Sequence, residues 1–216
     1  MPILLYCIAE ASTALNSALT GVGGSPVSRI EHSRLAVFVS LNSNSGAWTR
    51  LPVRDSALQF HQVLHKLFQS AAILPFRFPT VFADEMELEK HMESSAARYR
   101  DALENYRSNV QMEVVLNAAE APTAQASNSG TEYLRERKNR QDELSLLLAR
   151  VQSAAKSAVI EWKMRRAPGG VRCFARVERD SIERFKESAR TLELPAGYTA
   201  RVSGPWPVTE FLDFPM

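Results

Sequence analysis

The stretch ILPFRFPTVFADEMELEKHM, Ile73 to Met92, changes its hydrophobic period halfway along. In its first half Leu74, Phe76 and Phe78 alternate with Pro75, Arg77 and Pro79. A period of two is the mark of a strand, and prolines, which lack an N–H donor, confine such a strand to an edge or to short pairing. In its second half Asp84 is followed three residues later by Glu87, a capping box that opens a helix. Leu88, Met92, Ser95, Tyr99, Leu103 and Tyr106 then keep helical spacing. A short edge strand running into a long helix points to an α+β fold.

Upstream, Ile3 to Ala9 reads as a buried strand. The glycines at 21, 23 and 24 with Pro26 mark a turn, and Val27 to Ile30 and Leu35 to Leu41 read as two strands about a turn at Glu31 to Ser33. Phe60, Leu64, Leu67 and Ala71 place a helix over Asp55 to Ser70. Downstream, Val110 to Leu116 is a strand, and Asn117 to Thr131 has the composition of a linker. A long helix is expected from about Thr131 to Trp162. Its Leu144, Leu148, Val151, Ala155, Ala158 and Trp162 alternate by four and three, like a short coiled-coil seam, and extending that register backwards lands on Arg137 and Gln141. Its first turns therefore lack an apolar stripe and project into solvent or towards a partner. Val171 to Val177 is a strand, Asp180 with Glu183 makes a second capping box, and Ile182, Phe185, Ala189 and Leu192 form the buried face of a last helix. Gly197 to Val202 is the final strand. The expected organisation is two small α+β domains, 1–117 and 132–216, joined by a linker at 118–131, the second with a long coiled-coil-like helix, a small sheet and a tail rich in proline and aromatic residues.

Composition excludes several classes. The chain has 216 residues, 45% hydrophobic and 23% charged, with a formal net charge of +2. That balance argues against nucleic acid as a partner, and no apolar run reaches the ~18–20 residues that cross a bilayer. The opening MPILLYCIAEA lacks the basic start of a signal peptide. Cys7 and Cys173, each in an apolar run, read as buried thiols of a reducing cytosol. A cytoplasmic protein is expected.

No constellation of catalytic residues is legible. His61 and His65 share a helix face, but Gln62 stands where a zinc protease needs glutamate, and no third ligand is evident. His32 and His91 have no local partner in sequence. The turn GVGGSP, Gly21 to Pro26, runs into a strand instead of a helix and has no GK[ST], so it reads as a turn and not a phosphate loop. Arg77, facing opposite to Phe76 and Phe78, is either exposed or paired with Asp84 or Glu85; anion binding is the sharper alternative. No metal, cofactor or small-molecule substrate is expected.

Five stretches, in order and nearly end to end, resemble the gas vesicle protein GvpL/GvpF family: LLYCIAEA at Leu4 to Ala11, GVGGSPVSRIEHSRLAVFVS at Gly21 to Ser40, ILPFRFPTVFADE at Ile73 to Glu85, SGTEYLRERKNRQDE at Ser129 to Glu143, and SGPWPVTEF at Ser203 to Phe211. Pro79 departs from that family's usual glycine, and Val208-Thr209 from its usual Pro-Tyr. The resemblance implies a first domain of modified ferredoxin-like character. It also implies a minor, non-enzymatic assembly protein located at the gas vesicle, whose partners are the hydrophobic shell subunit and other minor gas vesicle proteins. Candidate partner contacts or family-motif positions are Arg77, Phe78, Tyr133, Arg135, Arg137, Arg140, Trp206 and Phe211. For Trp206, stiffened by Pro205 and Pro207, two readings stand open: a lid packed on the second domain, or an exposed aromatic anchor. The rival class is a small-molecule-binding or enzymatic ferredoxin-like protein, which a polar pocket holding Arg77 and a histidine would favour.

Overall fold

The computed structural model describes residues 1–15, 18–41, 52–118, 130–167, 170–191 and 193–214, without the side chains at 130, 133, 136, 137, 166 and 167. The chain folds as two compact units, Met1–Ser108 with Pro207–Met216, and Asn109–Trp206. Each holds one antiparallel sheet with two helices, so the α+β expectation holds.

The first unit contains β1 (Ile3–Glu10), β2 (Ser28–His32), β3 (Leu35–Leu41), α1 (Val53–Ser70), β4 (Ile73–Pro75), β5 (Val81–Phe82) and α2 (Glu85–Tyr106). Strand order is β2-β3-β1-β4, with β5 also pairing with β1. β1 is central and buried from Ile3 to Ala9. Its register against β3 shifts between Leu5 and Cys7, so Ile3, Leu5 and Ile8 all join the core under α2, with Leu88, Met92, Tyr99 and Leu103. Tyr6 turns the other way and stacks on Phe60 of α1, with ring centroids 4.8 Å apart. A strand buried on both sides needs a continuous apolar run, and ILLYCIA supplies one.

The strand expected through Leu74, Phe76 and Phe78 is cut into β4 and β5. Pro75 and Pro79 have no N–H to extend a ladder. Isolated bonds continue the pairing instead: Phe76 N–H donates to the Tyr6 carbonyl at 2.9 Å, and Leu5 N–H to that of Thr80 at 2.9 Å. The cap at α2 forms at Asp84 as read, with the returning bond shifted from the N-cap to the residue before it. Asp84 accepts from Glu87 N–H at 3.0 Å, while the Glu87 carboxylate accepts from Ala83 N–H at 2.6 Å.

The second unit contains β6 (Asn109–Ala118), α3 (Gly130–Ala154), β7 (Val159–Ala167), β8 (Gly170–Glu178), α4 (Ile182–Arg190) and β9 (Tyr198–Trp206), in sheet order β7-β8-β6-β9. Here the structure corrects the sequence reading. β6, assigned above to the first domain, is an inner strand of this sheet, paired with β8 and β9 along its length. The unit boundary therefore falls at 108/109 instead of 117, and most of the expected linker, 119–129, lies outside the described residues. The long helix stops at Ala154, not Trp162. A turn at 155–158 leads into β7, and Trp162 pairs with Ala175 of β8. The β-branched Val159-Ile160 pair favours the strand. The seam of Leu144, Leu148, Val151, Ala155 and Ala158 is buried, against the sheet and not in a coiled coil.

The second capping box does not form. A 3-10 turn takes up Arg179–Ser181, Ser181 becomes the N-cap without a side-chain bond, and Glu183 pairs with Lys186 at 2.8 Å. Phe185 is fully buried and packs on Trp162; Leu192 lies outside the described residues. The tail also divides differently from expectation. Ser203 to Trp206 extend β9, while residues 207–216 belong to the first unit, because Phe211 is buried and its carbonyl accepts from Tyr106 Oη of α2 at 3.0 Å.

Candidate functional site

The glycine-rich turn is held by a buried hydroxyl. Tyr6 Oη accepts from Val22 N–H at 3.0 Å and meets Ser40 Oγ at 3.1 Å; Ser40 Oγ donates to the Pro26 carbonyl at 2.9 Å. A Cβ on Gly21 would collide with Tyr6 Oη, so glycine is required there by close approach. Burial raises the Tyr6 phenol above its ordinary value, so it stays protonated and serves as a structural knot. The turn's amides are thus spent on protein partners, in keeping with a turn and not a phosphate loop.

The exposed side of α1 carries His61 and His65. Among the described residues no group of three or more His, Cys, Asp or Glu gathers to hold a metal. Both cysteines are buried and unbridged; burial pushes the Cys173 thiol up to about 11 and Cys7 higher still, which keeps them thiols at neutral pH. One depression of about 560 Å³ opens beside Glu10, Thr13, Ser70 and Arg107. Neither Arg77 nor a histidine lines it, so the feature that would favour the small-molecule reading is not formed there.

His91, without a partner in the sequence reading, has one in the fold. It sits between the rings of Phe76 and Phe82, with centroids 6.1 and 5.2 Å away, and its Nε2 lies 2.8 Å from Tyr99 Oη. Burial lowers its proton affinity below the ordinary 6.5, and the nearby Arg98 cation acts in the same direction. The unfolded chain therefore takes up this proton first as pH falls, and stability drops as pH goes below 6.5 towards the folded-state value. The expected result is a urea midpoint that declines as the pH falls below 6.5 in the native chain and declines less in His91→Gln. Parallel declines in both would remove His91 from this role.

The sequence candidates fall at scattered places. Arg77 is exposed, one of the two states expected for it, and Asp84, one of its two candidate partners, caps α2. Phe78 is half-buried against Phe60, ring centroids 5.3 Å apart, and is a packing residue. Arg135 and Arg140 are exposed on the first turns of α3, beside exposed Leu134; the side chains of Tyr133 and Arg137 lie outside the described residues. Trp206 is half-buried at the end of β9, its indole N–H 3.5 Å from Ser203 Oγ. Gly204 beside it, at φ +116°, has no room for a Cβ, which would sit 2.9 Å from the Gln111 carbonyl. Phe211 is 2% exposed and so is a core residue of the first unit.

Sequence reading missed the face of the second sheet turned away from α3. There Arg172 pairs with Glu113 at 3.0 Å, Ser203 donates to the same carboxylate at 2.9 Å, and Arg176 bridges Glu161 and Asn109. The alternation of charge along CFARVE and EVVLN carries a signal for it, but only register joins the strands.

The chain is thus a two-unit α+β protein whose described polar groups are spread over sheet faces and helix surfaces. No described helix is long and apolar enough to cross a membrane. The family model described as gas vesicle synthesis protein GvpL/GvpF matches residues 2–213, and the chain belongs to that family, which is a gas vesicle structural and assembly family and not a known enzyme family. Two solved structures share the fold. The gas vesicle protein GvpF from Anabaena sp. PCC7120 superposes with a TM-score of 0.82 at 11% identity, covering 100% of this chain and 99% of that one. GvpF from Microcystis aeruginosa gives 0.79 at 10% identity, covering 99% of each. No curated protein matches in sequence.

Proposed function

We propose that this chain is a minor, non-enzymatic assembly component located at the gas vesicle in the cytoplasm. It binds the hydrophobic shell subunit and other gas vesicle proteins while the shell nucleates or grows. The reading is carried by the family match over residues 2–213, nearly the whole chain. The physical need is plain: a subunit that will face gas exposes apolar surface before it assembles, and such surface aggregates unless covered. Burying apolar area contributes about 25 cal/mol per Å², so a modest patch yields several kcal/mol before entropic costs.

The first turns of α3, with exposed Arg135 and Arg140 beside Leu134, are the proposed contact. Exposed charges at a helix start contribute little to folding, so they can be reversed without unfolding the chain. Charge reversal at Arg135, Arg137 and Arg140 is expected to abolish co-purification with the shell subunit while the melting temperature stays unchanged. Undiminished co-purification would reject this contact. Failure of the unaltered chain to capture any gas vesicle protein would reject the functional reading itself.

A further inference from the structure

The depression of about 560 Å³ lies wholly within the first unit, at the end of β1. Glu10 closes β1, and its carbonyl accepts from Thr13 N–H at 2.9 Å, so the chain turns here. Arg29 holds this turn in shape: its Nε donates to the Thr13 carbonyl at 2.9 Å and its Nη2 to the Ala11 carbonyl. Ser70 ends α1, with Ala71 and Ala72 beyond it, and Arg107 and Ser108 follow the end of α2; all of them line the depression. Both signs of charge therefore border one space. Yet among the described residues no hydrogen bond or ion pair engages the side chains of Glu10, Ser12, Thr13, Arg107 or Ser108. Glu10 is half-buried, and α1 has no basic residue in its last turn to offset the negative end of its dipole. A half-buried carboxylate beside a helix C-terminus is a costly place for unpaired negative charge. Arg107 borders the same space without closing on Glu10.

We propose that this depression binds a small zwitterion, a molecule carrying a primary ammonium and a carboxylate as free amino acids do. The ammonium turns to Glu10 and the end of α1, where a carboxylate and the negative pole of a helix both favour a cation. The carboxylate turns to Arg107, whose guanidinium fork matches it bidentately, with the hydroxyls of Ser12, Thr13 and Ser108 as further donors. A simple anion would satisfy Arg107 and be repelled by Glu10; a simple cation would meet the reverse. A ligand with both charges satisfies both. A quaternary ammonium calls for an aromatic cage, and among the described residues no aromatic side chain lines the depression. Ala14, Ala71 and Ala72 keep the space open with small side chains, and its volume falls within the ~300–1,000 Å³ of small-ligand sites. This site uses a different pair of charges from the Arg77 and histidine weighed above. It goes beyond the assembly reading and does not rest on it; a ligand is held there and none of its bonds is broken.

The test uses the full chain and ligand-observed NMR with L-alanine and 4-aminobutyrate, against acetate and methylammonium as probes of one charge each. One or both zwitterions are expected to bind in the millimolar range, and the single-charge probes about tenfold or more weakly. Glu10→Gln and Arg107→Gln should each weaken zwitterion binding about tenfold or more. Each removes a charge that has no described partner, so neither should lower the melting temperature. A variant that melts markedly lower would show its charge already compensated within the fold, which overturns the proposal. Failure of both zwitterions to bind the native chain, or binding that either variant retains in full, overturns it as well. Acetate bound as tightly as the zwitterions reduces the site to an anion contact at Arg107 and has the same consequence. Tighter binding of the end-capped peptide Gly-Lys-Ala-Glu-Gly than of either zwitterion overturns it in favour of a protein partner.

Discussion

Phe211→Ala is expected to cost about 3–5 kcal/mol of stability, the range for truncating a buried phenylalanine, read as a lower urea midpoint. The tail after β9 could be taken for a loose aromatic appendage. Yet Phe211 is 2% exposed, and the chain around it is tied to α2 at two further points. Tyr106 Oη donates to the Phe211 carbonyl at 3.0 Å. Phe214 packs on Tyr99, with ring centroids 5.8 Å apart, under the Arg98 guanidinium at 4.5 Å from its ring centre. The cation–π contact adds only ~0.5–1 kcal/mol at an exposed site, so Phe214→Ala should cost much less than Phe211→Ala. If Phe211→Ala left stability intact and abolished partner capture, the tail would be an anchor and its burial without energetic weight.

The second large effect is expected at Tyr6. Tyr6→Ala removes a fully buried ring stacked on Phe60 and should cost about 3–5 kcal/mol. Tyr6→Phe separates the hydroxyl from the ring. It keeps the stacking but leaves Val22 N–H without its acceptor and Ser40 Oγ with only the Pro26 carbonyl. A buried donor stripped of its partner costs about 1–3 kcal/mol, so the phenylalanine variant should fall between the native chain and the alanine variant. A Tyr6→Phe protein as stable as the native one would mean that water or the chain itself satisfies Val22. The hydroxyl would then not be what fastens the glycine turn.

Much of this was legible in the residues. The alternation through Leu74, Phe76 and Phe78, followed by Asp84 and Glu87, marked the passage from strand to helix, because caps and periodicity are local properties of the chain. The apolar run of β1 and the turn at Gly21 to Pro26 were readable for the same reason. The seam from Leu144 to Ala158 was read as coiled-coil-like and is buried against the sheet, because a four-three spacing says only that one side of a helix is apolar, not what covers it. Extended to Trp162, it ran through a turn into β7, where Trp162 meets Phe185 across the sheet–helix interface by the accident of matching phase. His91 looked solitary because Phe82 and Tyr99 lie nine and eight residues away in sequence and meet it only through the fold.

By itself, then, the sequence determined the α+β class, the helix cap at Asp84, the burial of both cysteines, and, through its ordered motifs, the GvpL/GvpF family. Each follows from chemistry within a few residues or from motif order along the chain. Only the tertiary structure decided that β6 belongs to the second sheet and that Phe211 is core in the first unit. Those facts depend on which strands pair and in what register. Pairing is set by the summed burial of whole faces, where shifting a strand by one residue turns every side chain to the opposite side, and no short window of sequence contains that sum.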